Sequence, residues 1–224
     1  MTSVKSLRSD VREKEKTKKR RALFIVGGLL LSVALIILAI NLLFLKANKP
    51  VFYANVNGFT VGKEDAPVKV EEYSNFNCSH CKFFADTLEE NFVKKYVDTG
   101  KVQFTFRIFP FTNDRTEGAV EASYCAADQN KFWPMKSLLF KYNGYSGAFE
   151  DGNLINYAKT AGLDLQAFSD CIKSDKYLPK VAEDRQAAID KGLDGTPYFF
   201  ANGQKVGLDD LEKTVDAQLQ SLGK

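Results

Sequence analysis

Two cysteines, Cys78 and Cys81 in the run Cys78-Ser79-His80-Cys81, are the residues of this chain whose type and spacing best suit chemistry. Thiols at positions i and i+3 of a helix start can close a small disulfide. The first thiol then faces unpaired backbone N–H groups and the positive end of the helix dipole. Both favour the thiolate, the form that attacks disulfides and leaves from them, and His80 would add positive charge near the sulfur. The motif therefore predicts a redox-active dithiol with Cys78 as the reactive thiol.

Two other interpretations of this motif stay open, namely half of a metal site and an inert structural pair. A zinc site would need two further ligands, whereas Cys125 and Cys171 lie far along the chain and do not form a second C-x-x-C. Haem attachment would need a His directly after the second cysteine, and that residue is Lys82. A structural pair is disfavoured by the position of the motif at a turn between a strand and a helix. The sequence thus predicts neither a metal nor an organic cofactor.

The residues around the motif predict a strand–helix–strand unit that positions it. Residues Val68–Tyr73 alternate and are rich in β-branched side chains, which is typical of a strand. A second strand is predicted over Val102–Phe109, so the two strands should be parallel. Between them, apolar residues recur at helical spacing and predict one buried helix face made of Cys81, Phe84, Leu88, Phe92 and Tyr96.

The rest of the chain beyond residue 45 predicts a mixed α/β domain. One short strand is expected near Val51–Val56. A hairpin is expected from Pro197–Ala201 and Gln204–Val206, because Asn-Gly between two apolar runs favours a tight turn. A closing helix is expected over Leu208–Leu222. The remaining segments lack strand alternation and predict helices near 115–129, 131–142, 152–162, 165–173 and 176–191.

An uncharged stretch of 24 residues, 22–45, precedes the predicted domain. As a helix it would be roughly 36 Å long, which is enough to cross a hydrocarbon core of about 30 Å with some tilt. It is longer than the apolar region of a signal peptide, and the residues after it make a poor cleavage site. We therefore expect an uncleaved single-pass anchor.

Charge is distributed unevenly along the chain. The formal net charge is +3, yet residues 1–21 alone carry nine Lys/Arg and three Asp/Glu, so the remainder is mildly acidic. The basic residues before the apolar stretch predict a cytoplasmic N-terminus and an extracytoplasmic domain. An acidic domain argues against nucleic-acid binding, which needs a basic face. The single His, His80, also makes His-rich metal sites and Ser-His-Asp catalysis unsuitable interpretations.

The two remaining cysteines, Cys125 and Cys171, lie in two different predicted helices. Outside the cytoplasm an even cysteine count favours pairing. If Cys78 pairs with Cys81, Cys125 and Cys171 are the partners left for a structural disulfide. The alternative is two free buried thiols.

These features together resemble the DsbA-like thiol-disulfide oxidoreductases of the thioredoxin superfamily. The resemblance rests on four features and covers about residues 58–222. They are the strand Val68–Tyr73, the run Cys78-Ser79-His80-Cys81, Phe132-Trp133, and Gly195-Thr196-Pro197 before the hairpin. It implies an α/β, thioredoxin-like fold with a helical insertion. The single N-terminal transmembrane helix expected before this domain, and the basic tail, lie outside the match. The expected parts are a cytoplasmic basic tail (1–21), the transmembrane helix (22–45), a linker (46–57) and a DsbA-type domain (58–224) with its insertion at about 112–192.

The resemblance also implies roles for individual residues. Cys78 would be the exposed nucleophile and Cys81 the buried resolving thiol. Pro197 would be a cis-proline facing the dithiol, and Thr196 before it would offer backbone hydrogen bonds to a substrate chain. Glu72, six residues before Cys78, stands where the family often has a buried acid that assists proton transfer to the resolving thiol. Alternation alone does not distinguish it from its neighbour Glu71 as the buried one.

The function implied by the resemblance is oxidation of reduced exported proteins through the Cys78–Cys81 disulfide. A quinone-linked membrane protein of the DsbB or VKOR kind would reoxidise the dithiol. One departure from the best-known DsbA proteins is the dipeptide between the cysteines, which is Ser-His and not Pro-His. A disulfide reductase or isomerase would use the same residues from the reduced state. A metal-binding chaperone module using Cys78, His80 and Cys81, and a non-catalytic interaction domain, are further alternatives.

Overall fold

A computed structural model describes residues 18, 24–42, 50–111 and 116–223 of the chain. It divides into two compact units, Met1–Lys49 and Pro50–Lys224, which are described separately below. Most of the basic tail and both ends of the apolar stretch at 22–45 lie outside the described residues. The second unit begins at Pro50, whereas the sequence predicts a domain that starts at residue 58.

The first unit contains one helix, α1 (Phe24–Leu42), among its described residues. It has 19 residues with a mean hydropathy of 2.7 and no buried side chains. This length and composition suffice to cross a membrane. Such a helix near an N-terminus fits a membrane anchor or a signal sequence.

The second unit is built on a mixed sheet of six strands in the order β1-β2-β4-β3-β5-β6. The central strands β3 and β4 are parallel, as predicted, and pair in register from Val68 opposite Val102 to Ser74 opposite Ile108. The other neighbours are antiparallel. The strands are β1 Val56–Asn57, β2 Thr60–Val61, β3 Val68–Ser74, β4 Val102–Ile108, β5 Tyr198–Ala201 and β6 Gln204–Val206.

The hairpin of β5 and β6 turns at Asn202-Gly203, where both residues have positive φ, 47° and 83°. This is the geometry that an Asn-Gly turn favours, and the hairpin prediction is confirmed. The short strand predicted near Val51–Val56 is present but displaced toward the C-terminus, over Val56–Asn57. Pairing begins only at Val56, and Val56 and Asn57 pair with β2. No sequence signal predicts β2, because two-residue strands carry no measurable alternation.

Helix α2, residues 79–97, connects β3 to β4. Its segments Ser79–Phe83 and Glu89–Phe92 are α-helical, and Phe84–Leu88 and Val93–Val97 are π-helical. A π-turn adds one residue per turn, so the core-facing position after Phe84 is Glu89. Leu88 is 38% exposed and Glu89 only 4%. The prediction that Leu88 lies on the buried face is therefore wrong, whereas the other predicted members of that face are buried.

Among the described residues, five helices between β4 and β5 form the helical insertion, and a further helix follows β6. All five insertion helices lie close to the predicted segments. The disulfide Cys125–Cys171 joins the first of them to the fourth, with a Cα–Cα distance of 5.8 Å, which confirms the predicted pairing. The helices are α3 Glu117–Ala127, α4 Phe132–Tyr142, α5 Asp151–Ala161, α6 Leu165–Lys173, α7 Leu178–Asp190 and, after a 3₁₀ turn at Leu208–Asp210, α8 Leu211–Ser221.

The two faces of the sheet carry separate apolar cores. The larger one packs the side chains of β3 and β4 that alternate toward α2 and the insertion, including Val70, Phe104 and Phe106. The smaller one, on the opposite face, contains Tyr73 and Phe200. Because Glu72 alternates with Tyr73 along β3, its carboxyl group points into the larger core.

Candidate active site

Cys78 stands at the point where the loop after β3 enters α2. It is the N-cap residue, with extended φ and ψ of −84° and 125°, and its Sγ accepts a hydrogen bond from the Cys81 N–H at 3.4 Å. The loop is held by Asn75, whose side chain accepts from the Asn77 N–H (2.7 Å) and donates to the Phe109 carbonyl (2.9 Å). The reactive sulfur thus lies at the positive end of a helix on a fixed turn.

The two thiols of the motif occupy opposite environments. Both are free, with Cys78 partly exposed and Cys81 fully buried. The pKa of Cys78 is lowered to about 5, mainly because the Cys81 thiol lies beside the Cys78 sulfur. Burial opposes this lowering, whereas the Thr196 hydroxyl and the backbone N–H groups of Cys81 and His80 add to it. Burial, the neighbouring Cys78 and then Glu72 raise the pKa of Cys81. One thiol is therefore ionised at neutral pH and the other is protonated.

His80 lies between the cysteines with its side chain exposed to solvent. What it contributes to the Cys78 sulfur comes from its backbone N–H group. A role for its imidazole in stabilising the thiolate stays a prediction.

The segment Thr196-Pro197 comes to the dithiol from the far end of the sequence. The Cys78 Sγ lies 3.3 Å from the Thr196 carbonyl oxygen, to which it donates when it is protonated, across a separation of 118 residues. The Thr196–Pro197 peptide bond is cis, as the family resemblance implies. The Thr196 hydroxyl is buried and has no hydrogen-bond partner in the described part of the chain. The structure thus brings together Cys78, Cys81, Thr196 and Pro197.

Glu72 is the buried member of the pair Glu71 and Glu72. Its exposure is 0%, whereas Glu71 is paired with Arg107 at 2.7 Å on the other face of the sheet. Burial raises the pKa of Glu72 to about 7, and the Lys136 ammonium partly offsets that rise. Neither carboxylate oxygen has a hydrogen-bond partner among residues 50–111 and 116–223. The Ser74 hydroxyl, also buried, lies near enough to lower the pKa of both Glu72 and Cys81.

Three residues of this site, Lys136, Glu89 and Tyr53, were not identified from the sequence. The ammonium of Lys136 is buried between Glu89, with which it forms a close ion pair, and Glu72, 3.9 Å away. The Tyr53 hydroxyl donates to Glu89 at 3.0 Å. The one available signal was the position of Lys136 in its helix, four residues after Phe132 on the apolar face. Glu89 gave no signal, because the π-turn that buries it has no sequence pattern.

The described residues give no support to a metal site. None of their His, Cys, Asp and Glu side chains form a group of three or more that could hold an ion. Cys125 and Cys171 are bonded to each other and are unavailable as ligands in that state.

Comparison with known proteins shows the family of this chain. A family model described as thioredoxin matches residues 54–220. A protein named as disulfide bond formation protein D in Bacillus anthracis is 31% identical, over 72% of this chain and 78% of that protein. Its namesake in Bacillus cereus is 29% identical over 92% and 99%. The chain also matches a protein named Na⁺/H⁺ antiporter NhaA 3 in Salinispora tropica at 32% identity, but spans only 21% of that protein's length.

Solved structures agree in fold. The α-DsbA1 protein of Wolbachia pipientis superimposes with a TM-score of 0.64 at 26% identity, covering 79% of this chain and 96% of that one. BdbD of Bacillus subtilis gives 0.65 at 22% identity, over 77% and 100%, which shows the shared fold. With the dithiol at the start of α2, the cis-proline segment against it and the helical insertion, the chain belongs to the thioredoxin superfamily, within its DsbA-like thiol-disulfide oxidoreductases.

Proposed function

We propose that the protein is a membrane-tethered thiol-disulfide oxidoreductase that introduces disulfides into exported proteins. The observation that carries this proposal is the asymmetry of the dithiol. Cys78 is accessible, with a pKa lowered to about 5, and Cys81 is buried, with a raised pKa. A thiolate that is stabilised in the reduced protein is a good leaving group, so the disulfide form is a strong oxidant.

In the first step, a substrate thiolate attacks the Cys78 sulfur of the Cys78–Cys81 disulfide. A mixed disulfide forms between substrate and Cys78, and the bond to Cys81 breaks. Cys81 leaves with the electron pair into a buried site that disfavours its charge. We infer that Glu72, with its pKa raised to about 7, supplies the proton, with the Ser74 hydroxyl near both groups.

In the second step, another thiolate of the substrate attacks the substrate sulfur of the mixed disulfide. A substrate disulfide forms and Cys78 leaves as the thiolate that its surroundings stabilise. The substrate has lost two electrons and the dithiol has gained them. A quinone-linked membrane oxidase of the DsbB or VKOR kind, proposed from the family resemblance, would reoxidise the pair.

Thr196 and Pro197 are proposed to hold the substrate chain during both steps. The residue before a proline favours extended backbone, and an extended segment next to the reactive sulfur can pair with a substrate strand. The contact between Cys78 and the Thr196 carbonyl supports this arrangement, because it shows that the segment reaches the sulfur.

The proposed location is the outer side of the cell membrane. The apolar helix α1 with the basic residues before it supports an anchor with a cytoplasmic N-terminus. The Cys125–Cys171 disulfide fits an oxidising compartment. Exported proteins that still carry free thiols are the substrates available there.

The test is transfer of the disulfide to a reduced, denatured ribonuclease. The oxidised full-length protein should restore ribonuclease activity. It should lose one Cys78–Cys81 disulfide for each disulfide that forms in the ribonuclease. The Cys78→Ala variant should do neither. If the oxidised protein leaves the ribonuclease thiols unchanged, while the reduced protein breaks disulfides of an oxidised test protein, it is a reductase or isomerase and not an oxidase.

A further inference from the structure

The segment that precedes β1 contacts helix α4 and its N-cap residue Lys131 at three successive residues. The Val51 N–H donates to the Ser137 hydroxyl at 3.0 Å. The Lys131 ammonium lies 5.6 Å from the centre of the Phe52 ring. The rings of Tyr53 and Trp133 meet edge to face at 5.2 Å. Residues 51–53 therefore have a defined place on the folded domain, although the sequence assigns them to a linker.

The last of these residues, Tyr53, contacts the buried charged residues next to the dithiol. Its hydroxyl donates to Glu89 Oε1 at 3.0 Å, and Glu89 Oε2 accepts from the Lys136 ammonium. Lys136 is 1% exposed and lies 3.9 Å from Glu72 Oε2. A continuous series of contacts thus runs from the partly exposed Tyr53 to Glu72. Burial and the nearby Glu89 raise the pKa of Tyr53, so its hydroxyl stays a donor at neutral pH.

Within this cluster, two carboxylates share one ammonium. The other groups around Lys136 Nζ are the aromatic rings of Phe106, Trp133 and Phe140, at 4.8–5.4 Å from it. Besides burial, four neighbouring groups shift the pKa of Glu72. Lys136 and Ser74 lower this pKa, whereas Glu89 and Cys78 raise it. Any change that draws the ammonium toward Glu89 leaves Glu72 with less positive charge.

We propose that Tyr53 is a positioning residue for Glu72, acting through Glu89 and Lys136. This proposal rests on the proposed function, in which Glu72 gives its proton to Cys81. While Tyr53 satisfies one oxygen of Glu89, the Lys136 ammonium can stay within reach of Glu72. Without the Tyr53 hydroxyl, Glu89 has Lys136 as its remaining strong donor, and the ammonium moves away from Glu72. The segment following α1 thereby sets the protonation of the acid beside the resolving thiol.

The test is the pH dependence of a single turnover. Full-length oxidised protein in detergent is mixed with excess glutathione, and the loss of the Cys78–Cys81 disulfide is followed. The ratio of variant to wild-type rate at each pH cancels the ionisation of glutathione. The loss of one hydrogen bond that acts through Glu89 and Lys136 should shift the midpoint by less than about one pH unit, so we expect Tyr53→Phe to raise the Glu72 midpoint by about half a unit. The rate ratio should then be near one in acid and about threefold above the midpoint.

Three comparisons separate positioning from mere packing. Tyr177→Phe, which removes a similar hydroxyl–carboxylate bond at Asp128, should leave the profile unchanged. Glu89→Gln should lower the midpoint, the opposite direction. In the Glu89→Gln background Tyr53→Phe should have no further effect, because a cycle of two variants measures their coupling.

The outcomes keep this inference apart from the proposed function. Glu72→Gln should abolish the midpoint. Suppose that it does, and that the pH profile of Tyr53→Phe either superimposes on that of the wild type or shifts by the same amount in the Glu89→Gln background. The positioning role of Tyr53 is then overturned and the enzyme assignment stands. If Glu72→Gln retains the wild-type midpoint, the acid itself is misassigned and the inference about Tyr53 falls with it.

Discussion

Replacing Cys81 with alanine should raise the pKa of the Cys78 thiol, because the Cys81 thiol is the main group that lowers it. A hydrogen bond to a charged group contributes about 1.5–3 kcal/mol, and one pKa unit corresponds to about 1.4 kcal/mol. The loss is therefore worth about 1–2 units, which moves the pKa of Cys78 from about 5 to between about 6 and 7. The backbone N–H of Cys81, 3.4 Å from the sulfur, remains and keeps the value below that of an ordinary thiol.

Cys81→Ser is the matched control, since a serine hydroxyl can donate the same bond from the same position. We expect its Cys78 pKa to stay within about half a unit of the wild type. The chain has four cysteines, and with Cys125 and Cys171 bonded, Cys78 is the single free thiol of either variant. Ultraviolet absorbance of the thiolate against pH therefore reports Cys78 alone. Equal pKa values in the alanine and serine variants would refute the assignment and leave the helix start as the main cause.

Further outcomes follow from the same geometry. Cells that make Cys81→Ala should accumulate reducible mixed disulfides on Cys78, and Cys78→Ala should give none; the reverse pattern on non-reducing gels would exchange the two roles. Mass spectrometry of the non-reduced protein should show Cys125 linked to Cys171, and removing both should cost about 2–5 kcal/mol of unfolding free energy. Because the pKa of Cys78 is lowered on folding, its thiolate should stabilise the reduced protein above the pKa of about 8.5 of an unfolded thiol, and this should be lost as the pH falls through about 5. Solvent screens the partly exposed sulfur, so denaturant titrations at pH 7 should show about 1–2 kcal/mol of this stabilisation in the free energy of unfolding. A difference in this free energy between the reduced and oxidised protein that does not change with pH would contradict the prediction.

The features that the sequence predicted well are those set by local chemistry. Alternation in Val68–Tyr73, the Asn202-Gly203 turn and the helix start at Cys78 each depend on neighbouring residues, and each is confirmed. The Cys125–Cys171 pairing followed from the cysteine count and the compartment. These features suffice for the architecture and for the reactive thiol.

The features that the sequence did not reveal depend on distant contacts or on irregular helix geometry. Leu88 has the spacing of a core residue, yet the π-turn of α2 places Glu89 there. Lys136 is tolerated in the core because two carboxylates from other elements meet its ammonium. A charged residue in an apolar helix face suggests a buried partner, but its partner cannot be named until the elements are packed together.

The reduction potential of the Cys78–Cys81 pair in the full-length protein tests the central claim most directly. A lower thiolate pKa stabilises the reduced form and raises the potential. Thioredoxin and DsbA, with pKa values of about 7 and 3.5, have potentials of about −270 and −120 mV, so by interpolation a pKa of about 5 corresponds to about −185 mV. Equilibration with glutathione buffers should give a value near this figure. A potential at or below about −270 mV would contradict the oxidase assignment and indicate a reductase.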